Sequence, residues 1–246
     1  MRKGHTLRIA APLLSLAPNS APQARDLTPY GIQARDLILH RKAMQKIVLA
    51  SSNTGKLAEI RAFLHGLDID LIAQSELGIA DAAETGSTFV ENALLKARHA
   101  AHHARLPALA DDSGIEVDAL GGRPGVWSAR FAGEGSSDEQ NLRRLLAELH
   151  DVPDGFRQAR YQCVIVWVRA PSDSAPVIAQ GAWEGSIAHT PRGRGGFGYD
   201  PVFLPAGEHR TAAELSSIEK NALSHRGKAL RALVAMLDSG GYIREP

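Results

Sequence analysis

Met44-Gln45-Lys46-Ile47-Val48-Leu49-Ala50-Ser51-Ser52-Asn53-Thr54-Gly55-Lys56 runs from a short apolar segment, through a cluster of small polar residues, into a helical pattern. Ile47–Ala50 reads as a buried strand, and Leu57, Ile60 and Leu64 recur at the spacing of one helix face. Strand, polar turn and helix in that order form the repeating unit of an α/β domain. The pattern continues outward. Leu67–Ala73 alternates as a strand would, and Thr88–His103 is predicted as a helix with Phe89, Ala93, Leu94, Ala97, Ala100 and Ala101 along one side. Leu106–Ala110 and Ile115–Val117 are predicted as strands on either side of a turn, Asp111-Asp112-Ser113-Gly114. Asp138–Leu149 carries Leu142, Leu145, Leu146 and Leu149 on one helical face. Arg160–Arg169 and Val177–Gly185 read as a strand pair added antiparallel to the sheet, and Ala222–Leu237 as a closing helix.

Residues 1–43 differ in character. Pro12, Pro18, Pro22 and Pro29 interrupt them, and neither helical nor strand period is sustained. They hold seven Lys/Arg against two Asp, so the rest of a chain of net charge +1 is mildly acidic. A disordered N-terminal extension over 1–43 is expected, ahead of a domain spanning 44–240. The apolar run from Ile9 to Ala17 behind Arg2, Lys3 and Arg8 resembles a signal-peptide core, but Pro12 and Pro18 break it. A composition of 44% hydrophobic and 22% charged residues is that of a globular protein with a sizeable core. An acidic body is a poor general binder of nucleic acid polymers. No apolar stretch is long enough to cross a bilayer. Cys163 is the only cysteine, which excludes an intrachain disulfide and a cysteine-based zinc site and suits a reducing compartment.

Five segments carry residues suited to nucleotide chemistry. Ser51, Ser52, Asn53, Thr54, Gly55 and Lys56 form a strand-to-helix loop whose backbone amides, helix dipole and lysine suit phosphate, although the glycine spacing of a Walker loop is missing. Asp111 and Asp112 alternate across a strand, so one can enter a cleft while the other braces the structure. Two carboxylates beside Ser113 suit a hard divalent metal; the same wording also fits an acidic turn. In Glu84–Lys96, Ser87 or Thr88 with Glu91 reads as a helix cap. Asn92 and Lys96, one turn apart, could offer an amide and an ammonium to a triphosphate. Gly196, Phe197, Gly198, Tyr199 and Asp200 can form a slot for a flat base or a packed glycine turn. Lys220, His225 and Arg226 gather donors near a helix start, as a purine carbonyl, a phosphate or plain solvation would need.

Together these segments resemble the noncanonical purine nucleoside triphosphate pyrophosphatases, the Ham1-like family. The most specific stretches are Ala110–Gly114, Gly121-Gly122-Arg123-Pro124-Gly125-Val126-Trp127-Ser128-Ala129-Arg130, Gly196–Pro201 and Ser224-His225-Arg226-Gly227. The resemblance spans Met44 to about Leu237. It implies an α/β fold: an elongated mixed β-sheet with flanking helices and two lobes around a nucleotide cleft, in a cytoplasmic homodimer. It also implies magnesium-dependent hydrolysis of ITP, dITP and XTP to the monophosphate and pyrophosphate. By matching motif, Asp112 is the catalytic carboxylate and metal contact, with Glu84 as a second metal contact. Ser51–Lys56 and Ser113 contact the substrate, and Phe197, Gly198, Tyr199, Asp200, Lys220, His225 and Arg226 hold the base. One departure stands out: family members often carry two acids before Thr85-Gly86, whereas this chain has Ala83 and Glu84.

Overall fold

The computed structural model describes residues 45–242; the extension and signal-like run expected within 1–43 lie outside the described residues. One mixed sheet of six strands organises the rest, in the order β2-β1-β3-β4-β5-β6. β1 (Gln45–Ala50), β2 (Ile69–Ala73) and β3 (Ala108–Val117) are parallel neighbours, whereas β4 (Gln158–Val168), β5 (Val177–Ile187) and β6 (Phe203–Pro205) continue antiparallel. The expected α/β class and antiparallel addition are both present. The helices are α1 (Thr54–Leu64), α2 (Phe89–Ala104), α3 (Asp138–Glu148), α4 (Ser217–Leu223) and α5 (His225–Ser239).

Two local expectations need correction. Asp111-Asp112-Ser113-Gly114 is no turn: it is the middle of β3, paired without interruption against β4 from Ala108↔Val168 to Val117↔Ala159. An Asx turn would spend each carboxylate on its own backbone; here ion pairs with distant side chains satisfy them and the strand stays extended. The single helix expected over Ala222–Leu237 is two helices broken at Ser224, whose extended backbone (ψ 161°) ends α4 and whose hydroxyl caps α5 by accepting from the Gly227 amide. The helix start expected near Thr88 is borne out, because Thr88 and Glu91 close a reciprocal capping box.

Side-chain alternation divides the core. On one face, Leu49, Leu109, Ile165 and Trp167 pack under Ile60 of α1 and Leu230 and Leu233 of α5. Further along the same face, Ile115, Val117 and Tyr161 pack with Leu142 and Leu145 of α3 and with Trp183 and Phe203. Between these cores, Asp111 and Ser113 of β3 break the apolar pattern, so a polar belt crosses the sheet there. The opposite face packs Val48, Ala110, Val164 and Val166 against the alanines of α2. Small residues let α2 lie close to the strands, and that brings Lys96 within reach of the backbone of β3.

Candidate active site

Asp111 is the hub of the belt. Its side chain is fully buried and pairs with Lys56 of α1 at 2.7 Å and with Arg226 Nε of α5 at 2.8 Å. Ser113 Oγ donates to it at 2.9 Å and the Cys163 thiol at 3.1 Å. Burial alone would raise its pKa, but Arg226 and Lys56 outweigh burial and hold the carboxyl well below the usual range. The chain extends from Arg226 to Glu59, and Glu59 also pairs with Lys220 at 2.8 Å. Lys220 in turn bonds Asp200, which accepts from the Phe197 amide at 2.9 Å. Arg226 also donates to Ser113 Oγ at 2.9 Å. Gly181 makes this docking possible, because a Cβ there would fall on the His225 carbonyl oxygen at the start of α5.

Asp112 faces the other way and is differently served. Lys96 Nζ donates to its Oδ1 at 2.6 Å, to the Asp111 carbonyl at 2.9 Å and to Glu84 Oε1 at 2.9 Å. Its Oδ2 is buried and has no hydrogen-bond partner among the described residues. Burial outweighs Lys96 and Lys56 and raises the Asp112 pKa above the ordinary aspartate value. Lys96 is raised instead: burial lowers it, but Asp112 and Glu84 together prevail. Glu84 is also held by Arg130 at 3.0 Å. Among the described residues no three His, Cys, Asp or Glu side chains converge as a metal cage.

The loop before α1 is shaped by its own side chains. Asn53 caps the helix by accepting from the Lys56 amide at 2.9 Å, and Ser51 Oγ accepts from the Asn53 amide at 3.2 Å. Ser52 Oγ donates to Asp81 at 2.7 Å. Gly55 lies against the Phe197 ring, where a Cβ would clash, and the ring also sits under the Lys220 ammonium at 4.7 Å from its centroid. His225 stacks on Tyr161 with ring centroids 4.6 Å apart. Burial, reinforced by the Arg226 charge, drives its pKa well below the ordinary histidine value, and its Nδ1 has no partner among the described residues. One pocket is lined by Asn53, Lys56, Ser113, Phe197, Lys220 and His225, among others.

The structure therefore gathers Lys56, Ser113, Phe197, Gly198, Tyr199, Asp200, Lys220, His225 and Arg226 around one cleft. Asn53 lines it too and Gly55 abuts the Phe197 ring; Ser51 and Ser52 brace the loop, Thr54 opens α1, and Asp112 and Glu84 meet at Lys96. Three expectations change in detail. Asn92 does not share a ligand face with Lys96; it is fully buried and its Oδ1 fastens the Gly86 amide at 2.8 Å. The Tyr199 hydroxyl donates to the Ser128 carbonyl at 2.8 Å, so this ring is anchored in the protein. Arg226 spends donors on Asp111, Glu59 and Ser113. Sequence reasoning missed Glu59, which bridges two of the expected base-site cations. Its position one turn after Lys56 on a polar helix face was the only signal. Arg130 was read within a motif but given no partner.

Residues 47–236 match the model of the Ham1 family. The chain is 53% identical over 197 residues to the dITP/XTP pyrophosphatase of Shigella flexneri, covering 80% of this chain and 100% of that protein. It is 52% identical over the same length to that of Escherichia coli K12, with the same coverage of both proteins. Among solved structures it resembles a HAM1 protein from Coxiella burnetii, with a TM-score of 0.74, 50% identity, and coverage of 80% of this chain and 100% of that one. The Ham1 protein of Staphylococcus aureus superposes with a TM-score of 0.70 at 40% identity, with the same coverage.

Proposed function

The chain belongs to the Ham1 family, and from that premise we propose that it hydrolyses dITP, ITP and XTP to the monophosphate and pyrophosphate. It thereby removes deaminated purines from the cytoplasmic nucleotide pool before a polymerase can incorporate them. The observation that carries this reading is the unequal service of two adjacent carboxylates: Asp111 is saturated by cations, while Asp112 keeps a buried, unpartnered oxygen beside Lys96.

Hydrolysis at the α-phosphorus requires an oriented water, charge neutralisation and a stabilised pyrophosphate leaving group. Lys56 and Lys96 flank Asp112 and supply fixed positive charge for the phosphate oxygens. Asp112 is the carboxylate placed to orient the water and accept its proton, with Lys96 holding its other oxygen. Asp111 holds Lys56 and Arg226 in place. The neutral His225 and the fixed Lys220 offer polar contacts to the purine edge, where inosine and xanthine carry a carbonyl at position six and adenine an amino group. A mismatch there leaves buried donors unpaired.

Magnesium fits the residues present. The free Asp112 oxygen and Glu84 are hard oxygen donors, and two carboxylates suit an ion that keeps phosphate and water ligands rather than a closed protein cage. When bound, the ion would neutralise phosphate charge and polarise the scissile bond. EDTA should abolish turnover and magnesium should restore it. Pyrophosphate release from ITP, XTP, GTP, dTTP and UTP tests the substrate class; a preference for dTTP or UTP refutes it. Homodimerisation belongs to the same proposal and is checked by sedimentation equilibrium.

A further inference from the structure

The segment Gly121–Arg130 enters the site above only through the Arg130–Glu84 pair and the Ser128 carbonyl that anchors Tyr199, although its wording is among the most specific in the chain. It is fastened to β3 just beyond Asp112. Gly114 lacks the Cβ that would fall on the Gly125 carbonyl and the Ser128 hydroxyl. Ser128 Oγ donates to the Gly125 carbonyl at 2.6 Å and accepts from the Ile115 amide at 2.9 Å. The 3-10 helix Gly125–Arg130 therefore rides on the strand that carries Asp112, and its last residue reaches Glu84. The Arg130 guanidinium lies over the Trp127 ring, 4.4 Å from its centroid, and pairs with the exposed Glu134 at 3.3 Å. Trp127 is 55% exposed, so its contact with the guanidinium, rather than burial, is what it contributes here.

Glu84 needs such support. It lies in a stretch without regular secondary structure between Gly78 and Thr88, so its own backbone does little to fix it. Asn92 pins the loop through Gly86, and Lys96 holds one carboxylate oxygen. Lys96 is shared with Asp112, whereas Arg130 is the contact that reaches the second oxygen.

We propose that Arg130 is a positioning residue for divalent-cation binding: its guanidinium, backed by Trp127, holds the Glu84 carboxylate so that Glu84 and Asp112 receive the ion together. This rests on the reading of Glu84 as a metal contact. Groups bonded to a ligand fix its orientation, and their loss weakens metal binding about 10–100-fold. Position 83 is alanine, so no neighbouring acid can substitute for a misdirected Glu84. A lysine retains the charge at position 130 but not the planar fork that reaches Glu84 while stacked on Trp127.

The test measures Mn2+ binding to the full chain with a non-hydrolysable α,β-methylene analogue of ITP, by water-proton relaxation, for wild type, Arg130→Ala, Arg130→Lys and Glu84→Gln. Metal-free affinity for the same analogue in EDTA is measured alongside, and a matching circular dichroism spectrum confirms folding. Arg130→Ala is expected to weaken Mn2+ about tenfold with little change in metal-free nucleotide affinity, and Arg130→Lys to fall between. Unchanged Mn2+ affinity in Arg130→Ala, with Glu84→Gln impaired, overturns the positioning role alone. An unimpaired Glu84→Gln overturns the metal reading of Glu84 and this proposal with it. An equal loss of metal-free nucleotide affinity in Arg130→Ala also overturns it, since Arg130 would then be a phosphate contact.

Discussion

Asp111→Asn and Asp112→Asn are isosteric changes at neighbouring positions, and the structure assigns them opposite consequences. Five side-chain donor contacts converge on Asp111, from Lys56, from two nitrogens of Arg226, from Ser113 and from Cys163. An asparagine has one acceptor oxygen and would turn an amide toward the remaining donors, leaving two buried cations without their carboxylate. Breaking a buried pair in this way costs about 3–5 kcal/mol. At about 2–4 °C per kcal/mol for a domain of this size, Tm should fall by about 6–20 °C. Asp112→Asn keeps an oxygen for Lys96, puts its amide where Oδ2 had no partner, and leaves Lys96 paired to Glu84. Burial already opposes the charge at this position, so stability should change by about 1 kcal/mol or less. Turnover, in contrast, should fall about 10²–10⁴-fold for loss of the base. Calorimetric unfolding at pH 7 and pyrophosphate release from ITP measure the two effects. Because the Asp111 pKa is depressed in the fold, its stabilisation is complete above the unfolded value of about 3.9 and is lost progressively below it, as pH falls toward the depressed folded pKa. The Tm gap between wild type and Asp111→Asn should thus hold down to about pH 4 and then close. Equal Tm losses in the two variants, or near-normal turnover in Asp112→Asn, would refute the division of roles.

His225 has a folded pKa well below that of the unfolded chain, so the unfolded state takes up the proton first. Its contribution is complete above about pH 6.5 and is lost on acidification; His225→Gln should flatten the slope of stability against pH between about 6.5 and 5, measured by urea titration at each pH. Gly181→Ala would drive a Cβ into the backbone of α5 at His225 and Ala229. A loss of about 1–3 kcal/mol is expected, with a raised KM for ITP as His225 and Arg226 shift; a normal KM would show that the docking tolerates displacement. Removing magnesium with EDTA should abolish turnover without lowering Tm in the absence of nucleotide, since no closed cage of protein ligands is present among the described residues.

Much of the fold was legible because its signals are local. The apolar run Ile47–Ala50, the heptad-like leucines of α3 and the Thr88–Glu91 cap each lie within a few residues, and helices and strands declare themselves at that range. Local reasoning failed where distant groups overrode it. Asp111-Asp112-Ser113-Gly114 has turn composition, yet the β4 ladder and remote cations keep it extended. Ser224 lies within an apparently continuous helical pattern, yet its capping geometry lets α5 begin at His225, against Gly181.

By itself the sequence determined the α/β class, the strand-to-helix loop after β1 and the family, because these depend on residue type and spacing along the chain. Only the tertiary structure decided which carboxylate is neutralised and which keeps a free oxygen. Glu59 and Arg226 are 167 residues apart, and Asp111 and Arg226 are 115 apart. Spacing along the chain says nothing about such pairs. Whether an aspartate is a strut or a base depends on the charges that folding brings to it: at Asp111 two cations outweigh the cost of desolvation, whereas at Asp112 that cost prevails over Lys96.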